Sequence, residues 1–496
     1  MHAIRRFLTG MVIGFCLLVL VHVWLLEAFV VPTGSMAPAL AGHHRACVCP
    51  CCGFTARVGR HPEDCDGQSG DDAYRETACP NCGHGPLPLD QVPEAVGDHI
   101  LVNKSAFLFR RPRRWEVIVF RVLGKIFVKR VAGLPGEWLE IVDGDLFADD
   151  RLVRKTLDQF KEVRILVFDN NFLPQPDGGS YRWDYAAASA RADEASVEPM
   201  ASDSNSREGV PGDPRVGGSL ALSAQSTHQL GKSLLLDGVS FPRQSHWLSY
   251  RHFSMKSGKD EPIRDEYAYN AGWPHGEEAA HDFMLECDIQ VMRGSGSVLL
   301  GISDGADVMQ VDLPVGAGRI ATLHRRHGSE LPPRPSQAPP LTRDFVDFEA
   351  RTVHHLEIAL VDRRLTVHVD GQPLFSLVDL PPVRNRGVVS RPVSLGVCGA
   401  TAEFRNVRLF RDVHYTQAGR NAVRGKVVRL GPDQYFVLGD NSPNSEDSRF
   451  WSDQGVLPGE NILGKALAVH LPSRVISRGR SWQCQIPDWQ RVRWLR

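Results

Sequence analysis

The stretch GKIFVKRVAGLPGEWLEI, residues 124–141, contains an apolar strand that ends in a turn. Side chains alternate between the two faces of a strand, so Phe127 and Lys129 share one face and Arg130 points the other way. The Pro135-Gly136 pair then marks the turn. A lysine within such a strand either extends its amine from a sheet edge to water or is buried for a chemical purpose.

The same pattern of short alternating apolar segments, separated by Gly and Pro, recurs along the chain and predicts a mainly β protein. A length of 496 residues suggests two to four domains. Hydrophobic residues at 42% and charged residues at 23% are typical of a folded protein. The formal net charge of −1 argues against a nucleic-acid partner.

The N-terminus, residues 1–31, predicts a retained membrane anchor. Arg5 and Arg6 precede an apolar run from about Phe7 to Val31. A membrane span needs about 20 apolar residues, whereas the apolar part of a cleaved signal peptide has only about 7–15. We therefore expect a single transmembrane helix, with the N-terminus in the cytoplasm and the rest of the chain outside. Residues 473–496 are expected to form an exposed tail, with contact to the membrane surface as the alternative.

Ser35 follows this run in VVPTGSMAPAL, residues 30–40. A serine hydroxyl is a weak nucleophile that needs a base. The chain contains neither a G-x-S-x-G elbow nor an H-E-x-x-H motif, and its histidines show no Ser-His-Asp arrangement. A lysine whose pKa is lowered by burial is the remaining candidate, and Lys129 fits that requirement.

Five segments then occur in order: VVPTGSMAPAL, GDHILVNKSAF, RRPRRWEVIVFR, FVKRVAGLPGE and GPDQYFVLGDNSPNSEDSRFWS. Together they resemble bacterial type I signal peptidase, a membrane-anchored serine protease with a Ser/Lys dyad. The resemblance covers about residues 7–45, 93–155 and 423–472. It implies a discontinuous, mostly antiparallel β protease core made of residues 32–46, 93–155 and 423–472, with few helices.

The resemblance also implies roles for individual residues. Ser35 matches the nucleophile and Lys129 the general base. Thr33 would assist the backbone N–H of Ser35 in the oxyanion hole, and Ser445 would orient the lysine by a hydrogen bond. The residues expected to hold the site are Asp440, Asp447 and Arg449, the last two as an ion pair. Pro443 departs from the family pattern, which commonly has an acidic residue there.

The implied substrates are secretory preproteins with Ala-x-Ala cleavage sites, which a protease on the outer face of the inner membrane would meet at the lipid bilayer. The small side chains of the cleavage site would enter shallow pockets lined near Phe29, Val30, Ile126 and Phe127. Catalysis of this kind needs no cofactor.

Two C-P-x-C-G turns lie in residues 47–92, which interrupt the protease segments. Cys49 and Cys52 belong to the first turn, and Cys79 and Cys82 to the second. Paired turns of this kind resemble a zinc ribbon, in which four thiolates bind one structural Zn²⁺. The expected location outside the cytoplasm leaves disulfides as the alternative. The surplus cysteines of the segment are Cys47, Cys51 and Cys65.

Residues 156–422 form a second and larger insert. Residues 185–232 are rich in Ala, Ser, Gly and Asp and predict a flexible loop. Further on, Leu365, Val367 and Val369 share one strand face, and Asp370-Gly371 predicts a hairpin turn. The insert resembles a concanavalin-like, laminin-G-like jelly-roll β-sandwich, for which a glycan or a protein is the candidate ligand.

Three alternative functions compete with proteolysis of preproteins. The first is a catalytically inactive, membrane-anchored module that binds a glycan or a protein. The second is a self-cleaving, repressor-like protease, which would need a DNA-binding segment in place of the apolar run. The third is thiol redox chemistry at the C-P-x-C turns.

Overall fold

The structure, a computed structural model, describes residues 4–7, 9–14, 25–60, 77–174, 182–189, 227–230, 232–254, 257, 259–270, 278–316, 320–333, 339–345, 348, 351–471, 473–478, 482–487, 489 and 492–495. The chain divides into two compact units. Unit 1 contains Met1–Ile165, Arg264–Ala280 and Arg411–Arg496, and unit 2 contains Leu166–Ile263 and His281–Phe410.

Among the described residues, the N-terminal part of the chain supplies ten strands, a short helix after them, and helical residues at 4–7 and 9–14. The strands are β1 (Leu26–Val30), β2 (His44–Val48), β3 (Thr55–Gly59), β4 (Glu94–Ala95), β5 (His99–Asn103), β6 (Val117–Val122), β7 (Lys125–Gly133), β8 (Trp138–Val142), β9 (Asp145–Ala148) and β10 (Arg151–Leu152). Helix α1 (Leu157–Val163) begins with a capping box, in which Thr156 and Gln159 each bond to the backbone N–H of the other.

The middle of the chain supplies the strands of unit 2, which begin at the boundary with unit 1. They are β11 (Ile165–Asp169), β12 (Trp183–Ser189), β13 (Thr227–Leu230), β14 (Ser233–Asp237), β15 (Gln244–Tyr250), β16 (Phe253–Ser254), β17 (Lys259–Asp260), β18 (Phe283–Ser303), β19 (Asp307–Val315), β20 (Ile320–His327), β21 (Leu341–Asp344), β22 (Val353–Val361), β23 (Arg364–Val369), β24 (Gln372–Asp379) and β25 (Val393–Arg411).

The C-terminal part returns to unit 1. Its strands are β26 (Val428–Arg429), β27 (Gln434–Leu438), β28 (Leu457–Pro458), β29 (Ile462–Leu471), β30 (Ser473–Arg478), β31 (Trp482–Pro487) and β32 (Arg493–Trp494). The mainly β fold class predicted from the sequence is confirmed, and the pairings of β1 with β5, β6 with β7, β7 with β27, β12 with β15 and β18 with β22 are antiparallel.

The main sheet of unit 1 joins strands from both ends of the chain in the order β1-β5-β29-β6-β7-β27-β28, with β32 paired to β29. Strand β7 is central to it because it pairs with β6 on one side and β27 on the other. A second sheet has the order β10-β9-β8-β26. Strands that are far apart in sequence therefore pair in this sheet: β1 pairs with β5 across the cysteine insert, and β6 and β7 pair with β29 and β27 across the large insert.

The two ends of unit 1 differ from expectation. Residues 26–30, assigned from the sequence to the membrane anchor, form β1, which pairs with β5. Residues 4–7 and 9–14 are helical, and no helix among the described residues is long and apolar enough to cross a membrane. In the expected C-terminal tail, β32 pairs with β29 of the main sheet; Arg493 and Trp494 are exposed, whereas Leu495 is buried.

Unit 2 is built on a sheet in the order β12-β15-β25-β18-β19-β20-β21, to which β11, β13, β14, β22, β23 and β24 also pair. Two of these strands, β12 and β13, lie inside the predicted flexible loop 185–232, so the loop prediction is wrong for residues 185–189 and 227–230. Residues 190–226 lie outside the described residues. The jelly-roll assignment and a glycan or protein ligand remain predictions.

The hairpin between β23 and β24 is as predicted. Asp370 and Gly371 both have positive φ angles, 51° and 73°, which a two-residue turn between antiparallel strands requires. Leu365 and Val367 are fully buried on the predicted apolar face.

The boundaries of unit 2 differ from the expected insert, 156–422. Helix α1 and residues 411–422 belong to unit 1, as does the internal segment Arg264–Ala280. The first and last strands of unit 2 lie side by side, since β11 pairs with β25. This adjacency agrees with the expectation that the ends of an inserted domain lie close together.

A buried ion pair links β7 to the loop after β27. Arg130 donates from Nε and Nη2 to the two carboxylate oxygens of Asp440, at 2.8 and 2.7 Å. Its Nη1 donates to the carbonyl of Trp115 at 2.6 Å. Arg130 and Asp440 are 2% and 0% exposed, and a second carboxylate, that of Glu162, lies 3.6 Å from the Arg130 Nη1, so removal of Asp440 would leave the buried Arg130 charge with this more distant partner.

We expect Asp440→Asn to destabilise unit 1 by about 3 kcal/mol, because the Arg130 guanidinium would lose its nearest counter-charge in the protein interior and keep the Glu162 carboxylate, 3.6 Å from its Nη1. Asp379→Asn is the matched control, since Arg364 also donates to both oxygens of Asp379, but at the surface. That change should cost about 0–1 kcal/mol. Native-state hydrogen exchange of the β7 and β24 amides measures the two effects separately, and equal losses of protection would contradict the prediction.

Candidate active site

Ser35 and Lys129 meet in unit 1 although they are far apart in sequence. Ser35 lies in a 3-10 helix of one turn, Gly34–Met36, shortly after β1. Lys129 is the fifth residue of β7. The Lys129 Nζ atom lies 2.6 Å from the Ser35 Oγ atom. Lys129 is only 3% exposed, so its amine is held out of water beside the hydroxyl.

Burial lowers the pKa of Lys129 to about 8 from the usual value near 10.5. The charge of Arg449 lowers this pKa further, whereas Asp447, Asp440 and Glu446 oppose the shift. Burial prevails because desolvation penalises only the charged form of the amine. Near neutral pH, part of the lysine population is therefore uncharged and able to accept a proton from Ser35.

The turn that carries Ser35 is held through its backbone. The Asn441 side chain donates from Nδ2 to the Gly34 carbonyl at 2.9 Å, and the Asn441 backbone N–H donates to the Ser35 carbonyl at 3.1 Å. A Cβ at Gly42 would lie 2.4 Å from the Thr33 carbonyl oxygen, so only glycine allows this close approach of the two backbone segments. Met36 is buried and belongs to the apolar core behind the turn.

The expected ion pair between Asp447 and Arg449 is present and completely buried. The Arg449 Nε and Nη2 atoms each donate to a different Asp447 oxygen at 2.8 Å. Asp447 also accepts a hydrogen bond from the Gly439 N–H at 3.0 Å. Burial raises the pKa of Asp447, but the charge and hydrogen bonds of Arg449 outweigh it and hold the pKa below its usual range.

Arg449 makes further bonds that connect the loop after β27 to Thr416, near the start of the C-terminal part of unit 1. Its Nη1 donates to the hydroxyl oxygens of Thr416 and Ser442, at 2.7 and 2.8 Å, and its Nη2 donates to the Ser442 carbonyl at 2.8 Å. Together with the Arg130–Asp440 pair, these bonds give the loop that follows β27 a fixed shape. Asp440 thus lies beside Arg130 and contributes to the field at Lys129 only from a distance.

Thr33 and Ser445 do not make the contacts that their expected roles describe. Thr33 is exposed, and its side chain makes no capping bond to the turn that follows it. Ser445 is buried, but its Oγ has no hydrogen-bond partner among the described residues. The hydrogen bond expected from Ser445 to Lys129 is therefore not formed in this structure.

The four apolar residues expected to line substrate pockets are not brought into one cluster. Phe29 packs against the core around Val31 and Met36. Phe127 packs against a different core and stacks on Phe120 with ring centroids 5.7 Å apart. Val30 and Ile126 are exposed.

The two cysteine turns come together as the sequence predicts. The Sγ atoms of Cys49 and Cys82 are 3.7 Å apart, as are those of Cys52 and Cys79, and all four lie within 4.8 Å of one another. Each turn ends in a glycine with positive φ, Gly53 at 78° in the first. A disulfide joins sulfurs at about 2.05 Å, so these thiols are not bonded to one another.

Cys47 and Cys51, the other described cysteines of this segment, do not belong to the four-sulfur cluster. Cys47 is buried in the small core under the turns, and burial raises the pKa of its thiol. Cys51 is only partly buried, and Cys65 lies outside the described residues. The surrounding sheet, in the order β3-β2-β4, supports both turns.

Sequence analysis missed the residues that hold the serine turn by its backbone. Asn441 stands in the Gly-Asp-Asn block, directly after Asp440, so its place in that block was the available indication. Gly42 has no side chain to suggest a role, and only the closeness of the two backbone segments reveals it.

Comparisons with known proteins relate parts of this chain to a peptidase family. Residues 93–201 and 399–471 match the family described as signal peptidase, peptidase S26. The signal peptidase I of Aquifex aeolicus is 54% identical over 43 residues, which is 9% of this chain and 16% of that protein. The probable thylakoidal processing peptidase 2 of Arabidopsis thaliana is 28% identical over 65 residues, covering 11% and 18%.

Among solved structures, a carbohydrate binding module from Bacillus subtilis aligns with 27% of this chain and 77% of its own, at 18% identity. Its TM-score of 0.19 is too low to relate the two folds. The chain spans less than a fifth of the length of the signal peptidases quoted above. The matches support membership of the peptidase S26 family for the parts of the chain that they cover.

Proposed function

We propose that this chain is a signal peptidase I, an endopeptidase that removes N-terminal signal peptides from secreted preproteins with a Ser35/Lys129 dyad. The observation that carries the proposal is the 2.6 Å contact between Lys129 Nζ and Ser35 Oγ, with the lysine 3% exposed. Peptidase S26 relatives support the reaction class and the class of substrate. An inactive binding module would have no need for a buried lysine amine with a lowered pKa beside a serine hydroxyl.

The reaction would proceed in two halves. Ser35 Oγ attacks the scissile carbonyl carbon while its proton passes to the neutral Lys129 amine. The carbon–nitrogen bond then breaks, and the Lys129 ammonium returns the proton to the leaving amine. A water molecule next gives a proton to Lys129 and attacks the ester, and Ser35 leaves with that proton restored.

The oxyanion of each tetrahedral intermediate needs donors that are already in place. We assign this role to the backbone N–H of Ser35 and the hydroxyl of Thr33, whose exposed side chain is free to turn toward a bound substrate. One such donor is worth about 10²–10³ in rate. The Asp447–Arg449 pair would keep the surrounding loop rigid without touching the substrate.

We also propose that residues from about Phe7 to the start of β1 anchor the protein in the inner membrane, with unit 1 on the outer face. The length of the apolar run and the preceding Arg5 and Arg6 support this orientation. Exposed apolar side chains of unit 1, Phe109 at 97% and Leu123 at 98%, are suited to contact with lipid. An enzyme and a substrate held in one bilayer gain effective concentration.

We propose a structural zinc ion at the four-sulfur cluster. Four thiolates at about 2.3 Å from a tetrahedral ion lie roughly 3.8 Å from one another, close to the 3.7 Å separations of Cys49–Cys82 and Cys52–Cys79. The ion would hold the two turns together over a core too small to be stable by itself. Four sulfur ligands leave no open position, so the ion would not take part in catalysis.

Removal of either member of the dyad should abolish cleavage of a preprotein by the purified full-length protein in detergent. Ser35→Ala lacks the nucleophile, and Lys129→Met keeps the length of the side chain but not the base. We expect kcat/KM to fall by about 10⁴ or more in each. Initial rates of product formation, followed by gel or mass spectrometry, provide the measurement.

Lys125→Met is the control for this pair, because Lys125 is an exposed lysine on the same strand, β7. It should cleave like the wild type. A Lys129→Met variant with normal activity would rule out the dyad. A wild type that neither cleaves preprotein nor reacts at Ser35 with an acylating inhibitor would favour the binding-module alternative.

The activity should rise with pH through a midpoint near 8, because Lys129 must lose its proton before it can act as a base. The exposed Glu446 carboxylate raises the pKa of Lys129, so Glu446→Gln should move the midpoint of the kcat/KM profile to lower pH. Glu460→Gln, a change at another exposed glutamate, should leave the midpoint in place. A shift to higher pH in Glu446→Gln would contradict the assignment of this limb to Lys129.

The purified protein should contain about one zinc ion per chain, measured by elemental analysis. Cys79→Ser should lose most of the metal and lower the stability of the β2–β3 segment, since one of four ligands is gone. Cys51→Ser should keep the metal, because Cys51 lies outside the four-sulfur cluster. Protein without zinc, whose thiols resist alkylation until they are reduced, would instead establish disulfides.

A further inference from the structure

A short part of the large insert belongs to the protease unit. Residues 264–280 lie between the two halves of unit 2 in sequence, yet they pack with unit 1. We call their described residues, 264–270 and 278–280, the return segment. Its presence means that the chain leaves unit 2 at residue 263, contacts the protease core, and enters unit 2 again at residue 281.

Both ends of the return segment are fastened. Arg264 and Ala279 form an antiparallel bridge, and the Asp265 N–H donates to the Glu278 carbonyl at 2.9 Å. Asp265 pairs with Arg411 at 3.1 Å, and the Glu278 carboxylate accepts from His414 at 2.7 Å. The segment is therefore a closed loop attached to the first residues of the C-terminal part of unit 1.

Tyr269, near the middle of this loop, packs directly on the serine turn. A Cβ at Gly34 would lie 2.2 Å from the Tyr269 ring, and a Cβ at Gly59 would lie 2.1 Å from it, so the ring occupies the space over both glycines. Tyr269 is 2% exposed and shares an apolar cluster with Ala37 and Ala41, which follow Ser35. Its hydroxyl donates to the His43 carbonyl at 3.3 Å.

Asn270, the next residue, supports the amide that holds the turn. Its Nδ2 donates to Asn441 Oδ1 at 2.6 Å, and Asn441 Nδ2 donates to Asn270 Oδ1 at 2.7 Å. The same Asn441 binds the carbonyl oxygens of Gly34 and Ser35. The Gly34 carbonyl sets which way the Asn441 amide faces, because the opposite orientation would put the Asn441 oxygen against that carbonyl, and the two bonds with Asn270 then hold the amide in place.

We propose that Tyr269 and Asn270 are positioning residues for catalysis: the large insert supplies the return segment that holds the Ser35 turn against Lys129. The inference rests on the proposed protease function. It predicts that part of the insert is required for the chemical step itself, whatever else unit 2 does. Small displacements matter here, since a misplacement of about 1 Å can cost up to about 100-fold in rate.

The test compares kcat and KM for preprotein cleavage by full-length variants in detergent. Asn270→Asp keeps the size of the side chain but places a carboxylate oxygen against Asn441 Oδ1. Tyr269→Ala removes the ring over Gly34, and Tyr269→Phe removes only the hydroxyl. We expect kcat to fall about 10- to 100-fold in Asn270→Asp and Tyr269→Ala, with KM changed less than threefold, and Tyr269→Phe to recover most of the lost kcat.

Two controls separate positioning from general loss of stability. Asn170→Asp changes a buried amide of unit 2, which binds the Lys232 carbonyl and the Trp183 indole. Phe160→Ala removes a large buried side chain from α1 in unit 1. Both should leave kcat unchanged once the rate is divided by the concentration of folded enzyme, which circular dichroism and gel filtration establish.

The outcomes distinguish this inference from the proposed function. Cleavage by the wild type together with wild-type kcat in Asn270→Asp and Tyr269→Ala would overturn the positioning role and leave the protease assignment intact. An equal loss of kcat in the two controls would also overturn it, because the effect would then follow stability. A wild type that does not cleave, and whose Ser35 is not acylated, would overturn both.

Discussion

The site depends on one interaction, a short contact between a buried lysine amine and a serine hydroxyl. Lys129 Nζ lies 2.6 Å from Ser35 Oγ, and burial lowers the pKa of the amine to about 8. The neighbouring Arg130 keeps its charge: its side chain points to the other face of β7 and donates to both carboxylate oxygens of Asp440. Alternation along one strand thus places a buried amine with a lowered pKa next to a guanidinium paired with a carboxylate, and only the amine has an uncharged form that can accept a proton.

The surroundings of this contact are built to resist movement. Asp447 and Arg449 form a buried pair with bonds to Thr416 and Ser442, so the loop after β27 has little freedom. Asn441 in that loop holds the Ser35 turn by two backbone carbonyls. Buried charges are costly, but here each has a partner with good geometry, which favours a single arrangement of the loop. These bonds hold the backbone of the serine turn, whereas the Ser35 side chain is only partly buried.

The inserts relate to this core in different ways. The cysteine turns form a small sheet and core of their own, with four sulfurs at separations suited to a tetrahedral ion. Unit 2 has a separate set of strands, but the chain leaves it once to place Tyr269 and Asn270 on the serine turn. With Tyr269 and Asn270 in the positioning role that we propose, the geometry of the serine turn depends on this part of the insert.

Much of the fold and of the candidate site could be predicted from the sequence, because local patterns indicate alternating strands, turns and the paired C-P-x-C-G cysteine turns. The mainly β fold, the opposite directions of Lys129 and Arg130, the turn at Asp370-Gly371 and the meeting of Cys49, Cys52, Cys79 and Cys82 follow from such patterns. Apolar character alone cannot tell the end of a membrane run from a sheet strand, so β1 emerged only from its pairing with β5. The contact of Asn270 with Asn441, 171 residues away, was decided by tertiary structure alone. No local propensity records which loop will cover a glycine, because that depends on where the assembled sheets bring distant segments together.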